Sequence, residues 1–340
     1  MLQIANLLHR LKRKKDRNYL LSVLLFFGIV GAAVWMLYYA TIQIDYVWRW
    51  YKIPQYFVFH DKIDIKSEIK GEVSEITKVD GGTVIRVTGA GGNSVIHRAP
   101  NDSLRVEKGD QVYPGDLLAT HSQWKAGILM QGLWITLKVS FIAIIFGILL
   151  GLFAGLARIS DNPALRWTTI AYIELIRGSP LLVQIFIWYF VLGTLINTLL
   201  ANNGLSQIEP LWYGVASLAS FVGAYVAEIV RAGIQSIHRG QSEASRSLGM
   251  TYVQSMIHII LPQAFRRIIP PLAGQFISLI KDSSLLGIIS IRELSKATRE
   301  ITTTNFQAFE MWFVCALLYL VLTFSLSMFL QYIERRMLNQ

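Results

Sequence analysis

Long apolar runs, separated by short polar stretches, fill the second half of the chain and occur once near its beginning. A helical run of about 20 apolar residues is long enough to cross a bilayer. Six runs reach that length, which predicts an all-α membrane protein with one N-terminal anchor and a group of five transmembrane helices. The predicted spans are residues 20–42, 128–156, 181–200, 211–232, 262–281 and 309–333.

The first apolar run follows a basic stretch, an arrangement that is also found in cleaved signal peptides. This run is longer than the core of a signal peptide, and it carries Trp35, Tyr38 and Tyr39 near its far end. Aromatic residues at that place are typical of the membrane–water interface. We therefore predict a retained anchor whose N-terminus is cytoplasmic.

Residues 43–123 have a different pattern. Short β-branched runs alternate with glycine-rich turn signals such as Asp80-Gly81-Gly82 and Lys108-Gly109-Asp110. This alternation predicts strands joined by tight turns, and hence a small β-rich domain inserted after the first span. The chain then divides into a basic tail (1–19), the anchor (20–42), the β-rich domain (43–123) and a membrane domain (124–340) with a loop at about 235–261.

Composition and charge agree with this division. Charged residues make up 16% of the chain, against about 25% in an ordinary soluble domain. Lys and Arg number 32 and Asp and Glu 22, so the net charge is +10. In a membrane protein such an excess is first tested against the positive-inside rule.

Threading the chain from a cytoplasmic N-terminus places most of the loop arginines inside, and the C-terminus with them: Arg158, Arg166, Arg239, Arg246, Arg335 and Arg336. The β-rich domain then lies outside. The segment 285–308 is the exception, because three basic residues there fall outside. The charge therefore predicts contact with the lipid bilayer and no nucleic-acid partner.

The loop before the fifth span predicts a helix–glycine–helix elbow. Ser242 can cap a helix that continues to Leu248, and Gly249 permits a sharp turn because glycine adopts positive φ without steric cost. A second short helix follows, and Pro262 is expected in the first turn of the next span. The alternative is a plain connecting loop, although loops of this length without a role are uncommon.

The same loop resembles the "EAA" loop of importer-type ABC transporter permeases. Glu243-Ala244-Ser245 is followed after three residues by Gly249, and after nine more by Ile259 and then Leu261-Pro262. The family pattern has Ala where this chain has Ser245. The resemblance implies that the loop couples the permease to a separate ATPase through Glu243, Ala244, Ser245, Gly249, Leu261 and Pro262.

Further stretches resemble the polar-amino-acid subfamily of these permeases, across about residues 127–336: 174–184, 224–233 and 279–285. The resemblance implies a multi-pass subunit of an importer in the bacterial cytoplasmic membrane. Its partners would be an ABC ATPase dimer that carries ATP and Mg, a second permease that is identical or homologous, and an external amino-acid-binding protein.

The chain itself lacks the Gly-x-x-x-x-Gly-Lys-[Ser/Thr] phosphate-binding motif, so we expect it to bind no nucleotide and to have no ATPase activity of its own. Two alternatives stay open at this point. One is a secondary carrier driven by an ion gradient. The other is an assembly scaffold whose β-rich domain docks a periplasmic partner.

Polar residues within the apolar runs are the candidates for a substrate pathway, because ionisable groups in a membrane are costly and often functional. Lys281, Ser283 and Ser284 can serve the carboxylate of an amino acid, and Asp282 its ammonium group. A Lys–Asp pair that fixes the end of the span is an equal alternative. Gln184 and Gln275 can line the same cavity or bond across helices.

Two acid–base pairs occur at i,i+3 spacing, Glu174 with Arg177 and Glu228 with Arg231. We interpret both as structural or gating pairs near the ends of helices. The histidines show no spacing typical of metal ligands, and we predict no metal site.

Within the β-rich domain, residues 106–118 resemble the repeated pattern of lipoyl- and biotinyl-like barrel-sandwich domains. Members of that family carry a cofactor on a lysine in a short hairpin motif. Lys78 is at a loosely comparable place, but its flanking residues match neither motif. We therefore expect a spacer or docking module with no bound cofactor.

Overall fold

The computed structural model describes residues 17–79, 82–89, 91–100 and 103–338. Most of the predicted basic tail therefore lies outside the described residues. The chain separates into two compact units, residues 1–50 and 51–340.

The first unit contains helix α1 (Arg17–Gln43), which includes the predicted anchor. Its apolar side chains are exposed along its length, as Leu25 and Met36 show with exposed fractions of 65% and 67%. After the helix, Asp45 adopts a positive φ of 51° and the Tyr46 N–H donates to the Thr41 carbonyl. Because this apolar surface has no cover within its unit, it suits a lipid environment.

A 3₁₀ turn (Trp50–Lys52) leads into the second unit, where the short helix α2 (Pro54–Phe57) and then six strands follow among the described residues. β1 pairs with β6 in an antiparallel ribbon, and the other four form an antiparallel sheet in the order β4-β3-β2-β5. Bounds are β1 Val58–Lys66, β2 Gly71–Val79, β3 Gly82–Gly89, β4 Ser94–Ala99, β5 Gln111–Val112 and β6 Leu117–Ala126.

The β-rich region is therefore confirmed as a set of strands, with a small core that includes Val73, Ile85, Val87 and Leu118. Gly109, one of the predicted turn glycines, has a φ of +102°. The described strands form a ribbon and a sheet, and the barrel-sandwich arrangement stays a prediction.

Helices make up the remainder of the chain. They are α3 Ile128–Arg158, α4 Pro163–Arg177, α5 Leu181–Phe186, α6 Thr194–Asn202, α7 Pro210–Gln235, α8 Arg239–Ser247, α9 Tyr252–Ser255, α10 Leu261–Asp282, α11 Leu294–Asn305 and α12 Ala308–Leu338. A π-helical stretch joins α5 to α6 and another joins α9 to α10, and a 3₁₀ segment (Ser283–Ile289) follows α10.

Six helical stretches in the described residues are long and apolar enough to cross a membrane, as predicted. The fifth covers residues 252–289 and is longer than the predicted 262–281. It begins earlier because the π-helical stretch Met256–Ile260 carries the helix past Pro262: the Leu261 N–H donates to the Met256 carbonyl, one residue farther back than in an α-helix.

The centre of the helical core is a close seam between α3 and α7. A methyl group at Gly151 would overlap the side chain of Val226, so only glycine permits this approach. Small residues spaced four apart bring helix backbones together in membrane proteins. The same contact repeats one turn away on each side, between Gly147 and Val222 and between Gly155 and Val230.

Candidate functional site

The predicted elbow is present, and a complete hydrogen-bonded turn forms its bend. Gly249 has a φ of +79°. Its N–H donates to the Arg246 carbonyl at 2.9 Å, and the Met250 N–H donates to the Ser245 carbonyl at 3.1 Å. These two bonds form a Schellman motif, which ends α8 and reverses the chain.

The start of α8 differs from the prediction. The helix begins at Arg239, and His238 is its cap: the Gly240 N–H donates to His238 Nδ1 at 3.1 Å. Ser242 was predicted to cap this helix, which is wrong, because it lies one turn inside. The cap of α9 is Thr251, which forms a capping box with Gln254.

A buried contact between two serines joins the arms of the elbow. The hydroxyl of Ser245 lies against that of Ser255, and each residue is 3% exposed. Ser245 donates its proton to the Ser242 carbonyl at 2.8 Å. A hydroxyl has one proton to donate, so Ser255 is the donor between the two serines. The serine that replaces the family's alanine is thus satisfied by a partner ten residues away.

The outer surface of the elbow is apolar and exposed. Leu248 is 82% exposed, and Tyr252, Val253 and Ile257 are 53%, 61% and 53% exposed. We call these four residues the elbow patch. Glu243, Ala244 and Gly249 are also exposed, whereas Leu261 is half-buried and Pro262 lies farther along the continuous helix. Sequence reasoning missed the elbow patch because its members are spaced around a turn whose shape depends on Gly249.

Polar contacts hold the elbow against the start of α10. Arg267 donates to the Ser236 carbonyl at 2.6 Å, and Gln263 donates to Gln241 at 3.2 Å. Neither partner is local in sequence. These contacts make the elbow continuous with the fifth span.

A charged cluster ties the ends of α3, α4 and α7 together. The Glu228 carboxylate forms an ion pair with the Arg231 guanidinium at 2.9 Å, which is the predicted i,i+3 pair. Arg158 forms a further ion pair with Glu228, and Arg177 approaches the same carboxylate at 3.8 Å. One carboxylate, 17% exposed, thus contacts arginines from three helices.

The predicted pairing of Glu174 with Arg177 is wrong. Glu174 pairs with Arg158 at 3.7 Å, and Arg177 is directed towards α7, where its guanidinium lies 5.4 Å from the centre of the Tyr225 ring. Two residues on one helix turn are free to take partners on neighbouring helices. Sequence reasoning assigned Arg158 only to loop charge, although its place at the end of an apolar run was a signal of a helix-end contact.

Gln184 contributes to packing between segments. It is 4% exposed, and its amide nitrogen donates to the Ile176 carbonyl at 2.7 Å and to the Ser179 hydroxyl at 2.9 Å. It therefore ties the C-terminal end of α4 to α5. Its carbonyl oxygen is buried and has no hydrogen-bond partner among the described residues.

The stretch 281–284 lies where α10 passes into the 3₁₀ segment, next to α5. Lys281 is exposed and Asp282 is half-buried, and Ser284 and Gln275 are also half-buried. Ser283 is fully buried and donates its proton to the Ile280 carbonyl at 2.8 Å. Because that proton is taken by the helix backbone, Ser283 is the least suited of the predicted donors.

In the described residues, no group of three or more His, Cys, Asp or Glu is placed to hold a metal ion. Residues 147–339 match the family described as "Binding-protein-dependent transport system inner membrane component". The chain belongs to this family of transport permeases.

Relatives within the family are named as amino-acid permeases. The permease is 38% identical over 210 residues to the glutamine transport system permease protein GlnP of Escherichia coli K12, covering 62% of this chain and 93% of the relative. It is 40% identical over 225 residues to the L-cystine transport system permease protein TcyB of Bacillus subtilis, covering 66% and 91%. The resemblance to ABC importer permeases is thus confirmed.

Solved structures agree. A crystal structure of an amino acid ABC transporter with histidines matches with a TM-score of 0.54 at 38% identity, covering 62% of the permease and 94% of that chain. The six strands lie outside the matched family region, which begins at residue 147. They are an addition to the family's common core.

Proposed function

We propose that this permease is the membrane subunit of an ATP-driven importer of polar amino acids in the bacterial cytoplasmic membrane. The elbow is the observation that carries the proposal. A hydrogen-bonded turn that leaves Leu248 and three other apolar side chains uncovered by the rest of the chain is suited to bind a second protein. We infer that this second protein is an ATPase subunit. This chain has no phosphate-binding motif, so ATP and Mg would have to be held by a separate subunit.

The proposed orientation has both termini and the elbow in the cytoplasm. Six crossings counted from a cytoplasmic N-terminus bring the strands and the turn between α11 and α12 to the outer side. The hydroxyl of Tyr56, at the base of the strands, donates to Gln307 in that turn at 3.0 Å. This contact supports the count, since residues on opposite sides of a membrane cannot meet.

The charged cluster suits a role in coupling. Glu228 contacts arginines of α3, α4 and α7, so movement of any one of these helix ends changes ion pairs with the other two. We propose that the cluster has two arrangements, which follow the inward- and outward-facing states. ATP binding and substrate delivery must bias the same two states if they are to be coupled.

The amino-acid specificity is inferred from the named relatives and from the donors near residues 281–284. A zwitterion needs donors for its carboxylate and an acceptor for its ammonium group. Lys281, Ser284 and Asp282 offer both, and the free carbonyl oxygen of Gln184 lies on the neighbouring helix. An external amino-acid-binding protein and a second permease complete the proposed complex.

The experiment compares two glycines that share a backbone conformation. Gly249 and Gly204 have φ of +79° and +68°, and an added side chain would meet open space at both. Gly249→Val should abolish co-purification of the ATPase or uncouple its hydrolysis from transport. Gly204→Val carries the same backbone strain far from the elbow and should leave both unchanged.

Transport is measured in cells and in proteoliposomes, with and without ATP. If Gly249→Val assembles with the ATPase and transports normally, the elbow is not the coupling element. If uptake survives ATP depletion and collapses with an uncoupler, the protein is a secondary carrier.

A further inference from the structure

Both strands of the β1–β6 ribbon are fixed to the helices at the same end of the ribbon, where Val58 pairs with Ala126. β1 begins after α2, and β6 runs into α3 through Gly127. The Gly127 N–H donates to the Phe57 carbonyl at 2.7 Å. A methyl group at Gly127 would overlap the Tyr56 carbonyl, so the two chain segments approach as closely as backbones can. The ends of the ribbon are therefore clamped together where they enter the membrane domain.

Tyr56 anchors this base in the helical core. It is 8% exposed, and its ring packs in an apolar cluster with residues of α3, α11 and α12, among them Leu129, Leu294 and Met311. Its hydroxyl donates to Gln307 Oε1 at 3.0 Å, across 251 positions of sequence. Gln307 is 1% exposed and occupies the turn that joins α11 to α12. The base of the strands is thus hydrogen-bonded directly to that turn.

The other end of α11 is also fixed by buried hydrogen bonds. Glu293 is fully buried and caps the helix, accepting the N–H groups of Ser295 at 2.8 Å and Lys296 at 2.7 Å. Tyr319 of α12 donates to the same carboxylate at 3.0 Å. The Leu294 N–H donates to Thr136 of α3 at 3.1 Å. A short helix bonded at both ends moves as a body with whatever displaces either end.

A flexible tether would look different. Mobile connections have few buried apolar contacts and solvent-exposed backbone bonds, whereas this base is buried and hydrogen-bonded. A two-stranded ribbon is marginally stable alone, and β1 and β6 gain support from the helices at one end and from the core of the sheet at the other, where Leu118 and Ala119 are buried.

We propose that the strand-rich segment is a rigid lever on α11, and that Tyr56 is the positioning residue that connects them. A displacement of the strands by a protein on the outer side reaches the turn at Gln307 and is passed along α11 to its other end, which is bonded to α3 and α12. The identity of that protein as the external amino-acid-binding protein rests on the proposed function. The rigid mounting does not.

Rigidity is tested by pulsed EPR distances in the full-length protein in nanodiscs. Cys315, the single cysteine, is buried in the same apolar cluster as Tyr56 and is replaced by Ala, and spin labels are attached at Glu107→Cys in the strand-rich segment and Asn203→Cys between α6 and α7, both exposed positions. The distance distribution should be narrow. Tyr56→Ala should broaden it, while Tyr51→Ala, at a position 76% exposed and five residues away, should not.

A broad distribution without the Tyr56 change would overturn the proposal, and so would equal widths in Tyr56→Ala and Tyr51→Ala. Because Tyr56→Ala removes a buried ring, Tyr56→Phe provides a milder variant that loses only the hydroxyl. The double variant Tyr56→Phe/Gln307→Leu removes both hydrogen-bonding groups but keeps the aromatic ring in the apolar cluster. It therefore shows how much of the effect comes from the hydrogen bond and how much from the apolar contact.

Transmission is tested by titrating the binding protein against ATP hydrolysis of the assembled complex. A hydrogen bond made in one of two states and lost in the other is worth about fivefold in their equilibrium, so Tyr56→Phe should lower the maximal stimulation by up to about that factor. The half-saturating concentration should change less than the maximal stimulation, since the docking surface is untouched and only the linked equilibrium is altered. A changed half-saturating concentration with full maximal stimulation would mean that Tyr56 acts on docking alone and would contradict transmission.

The two claims can fail separately. If the binding protein and amino acids never stimulate hydrolysis in the unaltered complex, the proposed function fails. The distance distribution still decides whether the strands are mounted rigidly.

Discussion

The elbow and the base of the strands are two connections of the same permease, and they are held in opposite ways. The elbow is held mainly by local contacts: its Schellman turn, its capping box and its serine contact join residues at most ten positions apart, and only two side-chain bonds from α10 reach farther among the described residues. The base joins Tyr56 to Gln307, and its surroundings come from three helices. The elbow exposes its apolar side chains, whereas the base buries them. The open surface suits the partner binding proposed for the elbow, and the enclosed one suits the rigid mounting proposed for the strands.

The largest difference in stability is expected between the alanine variants of two glycines, Gly127 at the base of the strands and Gly249 in the elbow. At Gly127 an added methyl group overlaps the Tyr56 backbone, so Gly127→Ala should cost about 3 kcal/mol, as overpacking does. At Gly249 the methyl group meets open space, and only the positive φ opposes it. Thermal unfolding of the purified permease in detergent measures both. Equal losses would show that the base is less tightly packed than its geometry indicates.

The next effect is loss of the long-range hydrogen bond. Tyr56→Phe leaves the buried amide of Gln307 without its donor, and an unsatisfied buried group costs about 2 kcal/mol. Gln307→Leu alone should cost a similar amount. The double variant should be less destabilised than the sum of the two, because the second change removes the group that the first left unpaired. Additive losses would mean that the two side chains do not interact.

Gly249→Ala should cost about 1 kcal/mol, the penalty of a side chain in the left-handed region. Its effect on coupling should exceed its effect on stability, because the turn places the elbow patch. We expect weaker co-purification of the ATPase while the thermal midpoint changes little. If Gly249→Ala formed a normal complex with the ATPase but unfolded at a lower temperature, the turn at Gly249 would contribute to stability and not to coupling.

Ser245→Ala is expected to have a smaller effect, about 0.5 kcal/mol, which is at the low end for one net hydrogen bond. Alanine is the residue that the family pattern has here, and the elbow should keep its shape. Ser255→Ala should match it, and the two changes together should cost no more than either alone. The measurement is again the unfolding midpoint, together with transport, which should remain normal.

The last difference concerns pH. Burial raises the pKa of Glu293 at the start of α11, whereas the folded elbow has no comparable buried carboxylate among the described residues. A raised folded-state pKa means that the stability contributed by the protonated form is full below the unfolded value, 4.5, and is lost as pH rises through the folded pKa. Glu293→Gln should flatten that part of the pH profile of unfolding, and an unchanged profile would contradict it.

Features held by local contacts could mostly be predicted from the sequence, and features held by long-range contacts could not. Gly249 and the EAA spacing identified the elbow because both are local, and the six spans followed from length and hydropathy. The base of the strands left no local signal: nothing near Tyr56 points to a glutamine 251 residues away. The cap of α8 was misplaced because His238 competes with Ser242 for the role, and the pairing of Glu174 was misjudged because Arg158 belongs to another helix.

Coupling through the elbow is tested most directly by amino-acid-stimulated ATP hydrolysis, measured on the complex purified through a tag on this permease. The complex should contain an ATPase whose hydrolysis rises when the binding protein delivers a polar amino acid. Stimulation should vanish in Gly249→Val and persist in Gly204→Val. Equal stimulation in both variants, or uptake that needs no ATP, would contradict the account.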